Sequence, residues 1–425
     1  MKYKAVRGMQ DILPQDVGIW HWLERKARSD LESYGFKEIR TPLLEDTSVF
    51  VRSIGETTDI VKKEMYTFKD KKERSLTLRP EGTAPIVRSY IEHSLDKAQY
   101  GSKLYYIGPM FRSERPQKGR TRQFHQIGIE VFGSKSPYAD VEVIMQLRNM
   151  LNSFELEDFT INLNSLGCNE VCKPKFTDKL QKYLEGKESR LCEDCKRRVK
   201  INVLRVLDCK KDSCIQVVRN APSTLDGLCD PCKDHFDRVK EGLSKLKLIN
   251  IKETKNLVRG LDYYTGTVFE VTHPDLGAQD AIGAGGRYDN LVKDMGGPDT
   301  PAIGYALGME RIILALRNKT TSTDTKSEGV VYIATLGDMG KIEGLKLADE
   351  IRKALPSVVL LTSTMESSLK SQLRAADRQG AKLVLILGED EIEKGEVLLK
   401  DMIKKDQVPV KRKDIVEELK KRLKC

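Results

Sequence analysis

Hydrophobic residues recur with two periods along the segment from Met1 to about Leu166. Trp20, Leu23, Ala27 and Leu31 sit three or four apart, which places them on one face of a helix that Gly35-Phe36 ends. Ile39 to Pro42 then reads as a short strand. Tyr66-Thr67-Phe68, Ser75 to Leu78 and Leu104 to Ile107 carry the β-branched and aromatic content of strands. After Ser136-Pro137, a helix is signalled by Val143, Ile144, Leu147, Met150 and Leu151, and proline fits its first turn. Phe159, Ile161 and Leu163 alternate, as in a strand with one buried face.

From Gly167 to about Leu248 the chain becomes Cys-rich, Lys-rich and helical in pattern, which reads as an insertion (168–248) between two parts of one domain (1–325). Strand signals return at Val268 to Val271. Gly283 to Gly286 follow, where glycines let a backbone approach a ligand closely and a tight turn is the bland alternative for one or more of them, and a helix runs from about Gly308 to Leu316. The polar stretch Thr320 to Glu328 reads as a linker. Beyond it, in 326–425, strands (Val330 to Ala334, Val358 to Leu361, Leu383 to Leu387) alternate with helices (Ile342 to Ala354, Ser368 to Gln379). That rhythm predicts a small α/β domain with a largely parallel sheet. Ile415, Val416, Leu419 and Leu423 mark an amphipathic helix in the tail.

At 425 residues, two or three domains are expected. With 32% charged and 39% hydrophobic residues the balance is globular. The formal charge of +10 favours acidic partners without naming one; 404–424 alone holds nine Lys and Arg against four Asp and Glu. No apolar run approaches a membrane span, and Met1 to Leu13 lacks a signal-peptide core, so a cytosolic location is expected, with no membrane partner. There a disulfide framework is disfavoured, which leaves free thiols or a metal for the eight cysteines between Cys168 and Cys232.

The most informative stretch is Phe111 to Glu130, FRSERPQKGRTRQFHQIGIE, two strand patterns joined by a basic loop. Guanidinium forks suit triphosphates and basic loops suit RNA, yet on composition alone a solvated hairpin is favoured. Three further segments change the balance: Arg79-Pro80-Glu81-Gly82-Thr83, Arg259 to Gly266 (RGLDYYTG) and Gly304 to Arg311 (GYALGMER). Together with the basic loop they closely resemble class II aminoacyl-tRNA synthetases. RGLDYYTG and Gly285 to Asp289 (GGRYD) look like signatures of the histidyl enzymes. Phe36 to Glu45 is similar to the segment forming the class II dimer interface, and Ser367 to Glu391 to the C-terminal anticodon-binding domain.

The resemblance implies an α/β protein with an α+β catalytic core: an antiparallel sheet flanked by helices, a helical insertion and a C-terminal α/β anticodon-binding domain. It implies a homodimer using L-histidine, ATP with Mg2+, and tRNA(His), forming histidyl-adenylate and then histidyl-tRNA. By position, Arg112 and Arg259 match the catalytic arginines on the α-phosphate, Arg259 also counting among the histidine-binding positions, and Arg311, with Arg120 as a second clamp, matches the terminal phosphate. Glu81, Gly82 and Thr83 match the ammonium site and Gln126 the carboxylate region. Glu130 with Tyr264 matches the pair that reads the imidazole, with Tyr263 alongside. Arg115, Gln117, Lys118 and Arg122 belong to the tRNA-contacting loop. The bland alternatives are ion-paired arginines, a structural ion pair at Glu130 and core packing for one of the tyrosines.

Cys192-x-x-Cys195 and Cys229-x-x-Cys232 have zinc-like spacing, but a structural zinc on these four is ranked below buried thiols. His125 is read as a hydrogen-bonded strand residue. Two rival functions remain. One is a non-catalytic synthetase-like regulatory subunit of ATP phosphoribosyltransferase, which intact arginines and the presence of Ser327 to Cys425 disfavour. The other is a general RNA-binding protein, which rests on charge alone.

Overall fold

The computed structural model describes residues 3–98, 102–277, 280–317, 329–363 and 367–423. The chain divides into two compact units, 1–323 and 324–425. The polar linker expected at 320–328 lies outside the described residues.

The first unit is organised around an eight-stranded sheet. Its order is Lys37–Glu38, Lys103–Phe111, Gln123–Phe132, Ala302–Gly308, Ala281–Arg287, Thr265–Thr272, Thr160–Ser165, Ile251–Glu253. The six inner strands pair antiparallel, and each edge strand is added in parallel. Helices Pro14–Ser33 and Pro137–Ser153 contribute the buried faces read from periodicity: Trp20, Leu23, Ala27 and Leu31 in one; Val143, Ile144, Leu147, Met150 and Leu151 in the other. These join Ile127, Ile129, Phe269 and Ile303 from the sheet in one large apolar core. Ser136 caps the second helix, its hydroxyl accepting from Tyr138 N at 3.2 Å, and Pro137 opens it.

Three expectations of the fold are corrected. Ile39 to Pro42 is not a strand: the strand is Lys37–Glu38, and the Thr41 carbonyl accepts instead from the Arg79 guanidinium at 3.0 Å. Gly283, Gly285 and Gly286 form no turn but lie within the strand Ala281–Arg287. A side chain on Gly283 or Gly285 would run into the carbonyl of Ala306 or Gly304 on the neighbouring strand, so close packing explains both glycines. The Cys-rich insertion is helical throughout, but its last helix, Asp230–Lys245, sends Phe236, Val239 and Leu243 into the main core. The remainder surrounds a separate small core that includes Phe176, Leu180, Leu184, Val203 and Val206.

The second unit holds a five-stranded sheet in the order Val359–Thr362, Val330–Thr335, Ala381–Leu387, Glu396–Asp401, Gln407–Lys411. The first three strands are parallel, as the α/β rhythm implies. The last two are antiparallel, which corrects the largely parallel expectation. The tail helix Ile415–Leu423 buries Ile415 and Leu419. No helix among the described residues is long and apolar enough to cross a membrane.

Candidate active site

A cleft of about 420 Å³ opens over the middle of the eight-stranded sheet. That is an ordinary size for a small-molecule site, where about 300–1,000 Å³ is usual. Strand alternation builds its floor. On Gln123–Phe132, Phe124 and Gln126 line the cleft while Ile127 and Ile129 enter the core behind it.

One end of the cleft is cationic. Arg112, Arg120, Arg259 and Arg311 all line it. They come from three parts of the chain, Arg112 and Arg120 from the same hairpin, and each is held by a neighbour. Arg112 Nε donates to the Pro80 carbonyl at 2.8 Å and its guanidinium lies 5.3 Å from the Phe124 ring centre. Arg259 Nη1 donates to Glu270 at 2.5 Å, while its buried Nε has no protein partner. Burial acts to lower the Arg259 pKa, but the Glu270 carboxylate opposes it and the net shift is upward, so the charge is kept. Arg311 donates to the Ala281 carbonyl and is almost fully buried. Burial and then the nearby Arg120 lower its pKa, as expected for cations crowded together. Arg120 is tethered to Glu114 at 3.2 Å. Cations assembled against their own repulsion and partly dehydrated suit a polyanion.

Next to these arginines lies an acid–phenol cluster, close enough for the Arg112 charge to act on Glu81 and the Arg259 charge on Tyr264. Glu130 is 1% exposed. Its carboxylate accepts from Thr83 Oγ1 at 2.7 Å and from the Tyr288 hydroxyl. Burial pushes its pKa up to about 8, against the pull of those two bonds. Room for the carboxylate exists because position 304, directly opposite on the next strand, is glycine: a Cβ there would overlap Glu130 Oε2. Glu81 caps the helix Thr83–Glu92, accepting from Thr83 N at 2.9 Å and Ala84 N at 2.8 Å. Burial raises its pKa too, opposed by those amides and by Arg112. The Tyr263 hydroxyl reaches Glu81 at 3.5 Å, and the Tyr263 and Tyr264 rings lie 4.7 Å apart. Burial holds the Tyr264 phenol up at about 12. The buried Gln126 Oε1 and Tyr106 hydroxyl have no protein partner.

The cleft thus brings together Glu81, Thr83, Arg112, Arg120, Gln126, Arg259, Tyr263, Tyr264 and Arg311, with Glu130 immediately behind Thr83 and Tyr288. Gly82 is not part of the lining; it makes room for the Tyr106 ring, which a side chain at Gly82 or Gly128 would strike. Arg115, Gln117 and Lys118 are exposed on the connecting loop and are not part of the lining, although their neighbours Glu114, Gly119 and Arg120 are. Arg122 donates to the Glu114 carbonyl at 3.3 Å. His125 faces the other way, bonded to Glu310 at 3.0 Å and edge-on to Trp20.

Sequence reasoning missed Tyr288, although it stood in a quoted segment, because nothing local ties it to Glu130. It also missed Tyr106 and the insertion residues Arg198, Arg205 and Lys210, which form part of the cleft wall. In the same GGRYD segment Arg287 is structural: it is 2% exposed, pairs with Asp140 at 2.7 Å and donates to the Ser134 and Ser136 carbonyls.

The cysteine set needs correction. Cys192, Cys195, Cys229 and Cys232 do not share one site. The fold packs 229–232 against 168–172 and 192–195 against 209–214, giving two separate groups of four.

The family model described as Histidyl-tRNA synthetase matches residues 8–312, and one described as Anticodon binding domain matches 330–422. A protein of Thermosipho melanesiensis named Histidine--tRNA ligase is 49% identical over 414 residues, 97% of each chain. The crystal structure of apo S. aureus histidyl-tRNA synthetase superposes with a TM-score of 0.81 at 34% identity, covering 98% of this chain and 100% of that one. A Bacillus halodurans structure titled ATP phosphoribosyltransferase regulatory subunit/histidyl-tRNA synthetase shares the fold at 22% identity, with a TM-score of 0.66 and coverage of 91% and 99%.

Proposed function

The chain belongs to the histidyl-tRNA synthetase family and is an aminoacyl-tRNA ligase, and from that premise we propose how its cleft divides the work. The enzyme activates L-histidine with ATP and passes it to tRNA(His). A histidine carboxylate oxygen attacks the α-phosphorus, the bond to the bridging oxygen breaks, and pyrophosphate leaves. The ribose hydroxyl at the tRNA 3′ end then attacks the acyl carbon and releases AMP.

Arg112 and Arg259 take the α-phosphate, where charge builds on the phosphoryl oxygens as the new bond forms. Guanidiniums already fixed by Pro80 and Glu270 stabilise that charge without having to reorganise. Arg311, with Arg120 beside it, takes the terminal phosphate. ATP arrives with Mg2+, whose preference for hard oxygen ligands fits the carboxylates of Glu114 and Glu270 on the cleft wall. When bound, the ion neutralises phosphate charge.

At the other end a neutral imidazole offers one N–H donor and one bare nitrogen. Glu130 takes one nitrogen and the Tyr264 hydroxyl the other, while Tyr288 and Thr83 hold Glu130 in place. Glu81 and Thr83 take the ammonium, and the unpartnered Gln126 Oε1 and Tyr106 hydroxyl are free to meet the substrate. An amino acid without ring nitrogens leaves these buried groups unpaired, which is the basis of rejection.

The observation that carries this reading is the convergence of four arginines and a buried acid–phenol cluster on one cleft. The 330–422 domain reads the anticodon, and the loop carrying Arg115, Gln117, Lys118 and Arg122 grips the acceptor end in the cytosol. Phe36 to Glu45 forms a homodimer contact, supported by the exposed Leu43 and Leu44 within it. The test is exchange of pyrophosphate into ATP with each of the twenty amino acids. Exchange with histidine alone is expected; no exchange with any of them would point to the regulatory-subunit alternative.

A further inference from the structure

The eight cysteines of the insertion are spaced in sequence as four close pairs: 168/172, 192/195, 209/214 and 229/232. The fold nests them, outer pair with outer and inner with inner. Within each resulting quartet, Cys168/172/229/232 and Cys192/195/209/214, all four sulfur atoms lie within 4.8 Å of one another. All eight are free thiols.

The spacing inside each quartet is informative. Cys168 Sγ lies 3.6 Å from Cys172 Sγ, which lies 3.5 Å from Cys229 Sγ; in the other quartet Cys192 and Cys209 are 3.9 Å apart. Four thiolates around a single ion at about 2.3 Å stand about 3.8 Å from each other along the edges of a tetrahedron. A cluster of several irons holds its thiolates farther apart than 4.8 Å. Thiols that merely fill an apolar core have no reason to gather in fours around a common point.

The two quartets are also built alike. Cys192 is the N-cap of the helix Glu193–Ile201 and Cys229 the N-cap of Asp230–Lys245, with the second cysteine of each pair in the first turn. Both helix starts therefore direct their positive end toward the sulfurs. In each case the backbone N–H of the capping cysteine donates to a sulfur of the opposing pair, Cys192 N to Cys214 and Cys229 N to Cys172, both at 3.2 Å. Such N–H···S bonds orient ligands and spread the charge of a metal-bound thiolate. The same arrangement arises twice from different sequence, so chance packing is a poor account of it.

We propose that the insertion is a two-zinc module, with one structural Zn2+ held by Cys168, Cys172, Cys229 and Cys232 and a second by Cys192, Cys195, Cys209 and Cys214. The outer ion cinches the base of the insertion, joining the segment after the strand Thr160–Ser165 to the start of the helix that enters the main core. The inner ion fixes a small apolar lobe whose outward residues Arg198, Arg205 and Lys210 line the catalytic cleft. Arg198 and Arg205 pair with Asp59 at 2.6 and 3.3 Å, and Arg205 donates to the Gly260 carbonyl at 2.9 Å, next to the catalytic Arg259. The inner ion is thus a positioning element for the cleft, not a participant in the chemistry. Binding releases thiol protons, so occupancy weakens as pH falls.

The test uses the full-length protein purified under reducing conditions, with its metal content measured by elemental mass spectrometry. Two zinc ions per chain are expected. Cys192→Ser/Cys195→Ser and Cys229→Ser/Cys232→Ser should each retain one. If either variant fails to fold, the wild-type protein still decides: titration with an organomercurial should release two zinc ions as the eight insertion thiols react, Cys425 adding a ninth equivalent that releases none, and replacement by cobalt(II) should give thiolate-to-metal charge-transfer bands and the intense visible bands of tetrahedral cobalt. One ion per chain, iron in place of zinc, or a metal-free protein that takes up neither zinc nor cobalt would overturn the proposal.

Discussion

The two ends of the cleft are made of opposite materials. In the cationic group each arginine is anchored by a neighbour: Arg112 by Pro80, Arg259 by Glu270, Arg120 by Glu114 and Arg311 by Ala281. In the acid–phenol group polarity is internal: Glu130 already spends its oxygens on Thr83 and Tyr288, and Glu81 spends its own on the first amides of a helix. The difference teaches what each end can contribute. Fixed cations facing a site of growing charge stabilise a transition state more than a ground state. A buried network held rigidly in place instead discriminates among ground-state ligands, because a ligand that cannot bond to it bears the desolvation cost without return. Substitutions at the first end should lower kcat, and substitutions at the second should raise the KM for histidine.

The sharpest way to break that division is Arg112→Ala. Pyrophosphate exchange should fall about 100- to 1,000-fold in kcat, the cost of one preorganised donor, with the KM for histidine little changed. A fall confined to KM would erase the distinction between the ends. Next comes Glu130→Gln, which keeps size but alters the bonds to Tyr288 and the imidazole. The KM for histidine should rise about 10- to 100-fold, as for a buried hydrogen bond worth about 1–3 kcal/mol, while the KM for ATP stays put. An equal rise in both would mean that the cleft does not separate its tasks.

A smaller effect concerns pH. Burial holds the folded Glu130 pKa at about 8, above its usual value near 4.5. The native state therefore binds a proton that the unfolded chain has released, and this group's contribution, complete below about pH 4.5, is lost as pH rises to about 8. Stability of the ligand-free protein should decline across that window by at most about 1.4 kcal/mol per pH unit, and Glu130→Gln should flatten the decline. An unchanged slope would remove the buried acid from the account. The smallest effect is expected outside the cleft. Arg115→Ala with Lys118→Ala should leave pyrophosphate exchange intact and slow tRNA charging a few-fold, with a weaker salt dependence, since one lost phosphate contact lowers the salt slope by about 1. Slowed exchange would place the loop in the first step.

The same contrast explains what could be read from the chain alone. The cationic part of the cleft lining was legible because three of its arginines sit in local motifs: Arg112 before the basic loop, Arg259 in RGLDYYTG, Arg311 in GYALGMER. The acid–phenol part was legible only in outline. Glu130 stood out, but its partners lie 47 and 158 residues away, and no local pattern reports such pairs. Helix faces such as Trp20 to Leu31 were readable because periodicity and burial are one fact seen twice. Gly283 to Gly286 misled because glycine marks both turns and strands pressed against a neighbour, and only the adjacent strand Ala302–Gly308 decides between them. The hairpin Glu396–Asp401 and Gln407–Lys411 escaped because its charged, half-exposed positions dilute the strand signal. The cysteine quartets escaped for a similar reason: spacing picks out pairs, but only the fold says which pair faces which.

The most direct test of the two-ended cleft is Arg259→His, read by both pyrophosphate exchange and equilibrium binding of histidine. Exchange should fall at least about 100-fold while the dissociation constant for histidine moves far less, because Arg259 bonds to Glu270 and reaches the acid–phenol cluster through its charge on Tyr264 rather than by a hydrogen bond to Glu130. Exchange at the wild-type rate, or loss of histidine binding in step with loss of exchange, would contradict the account.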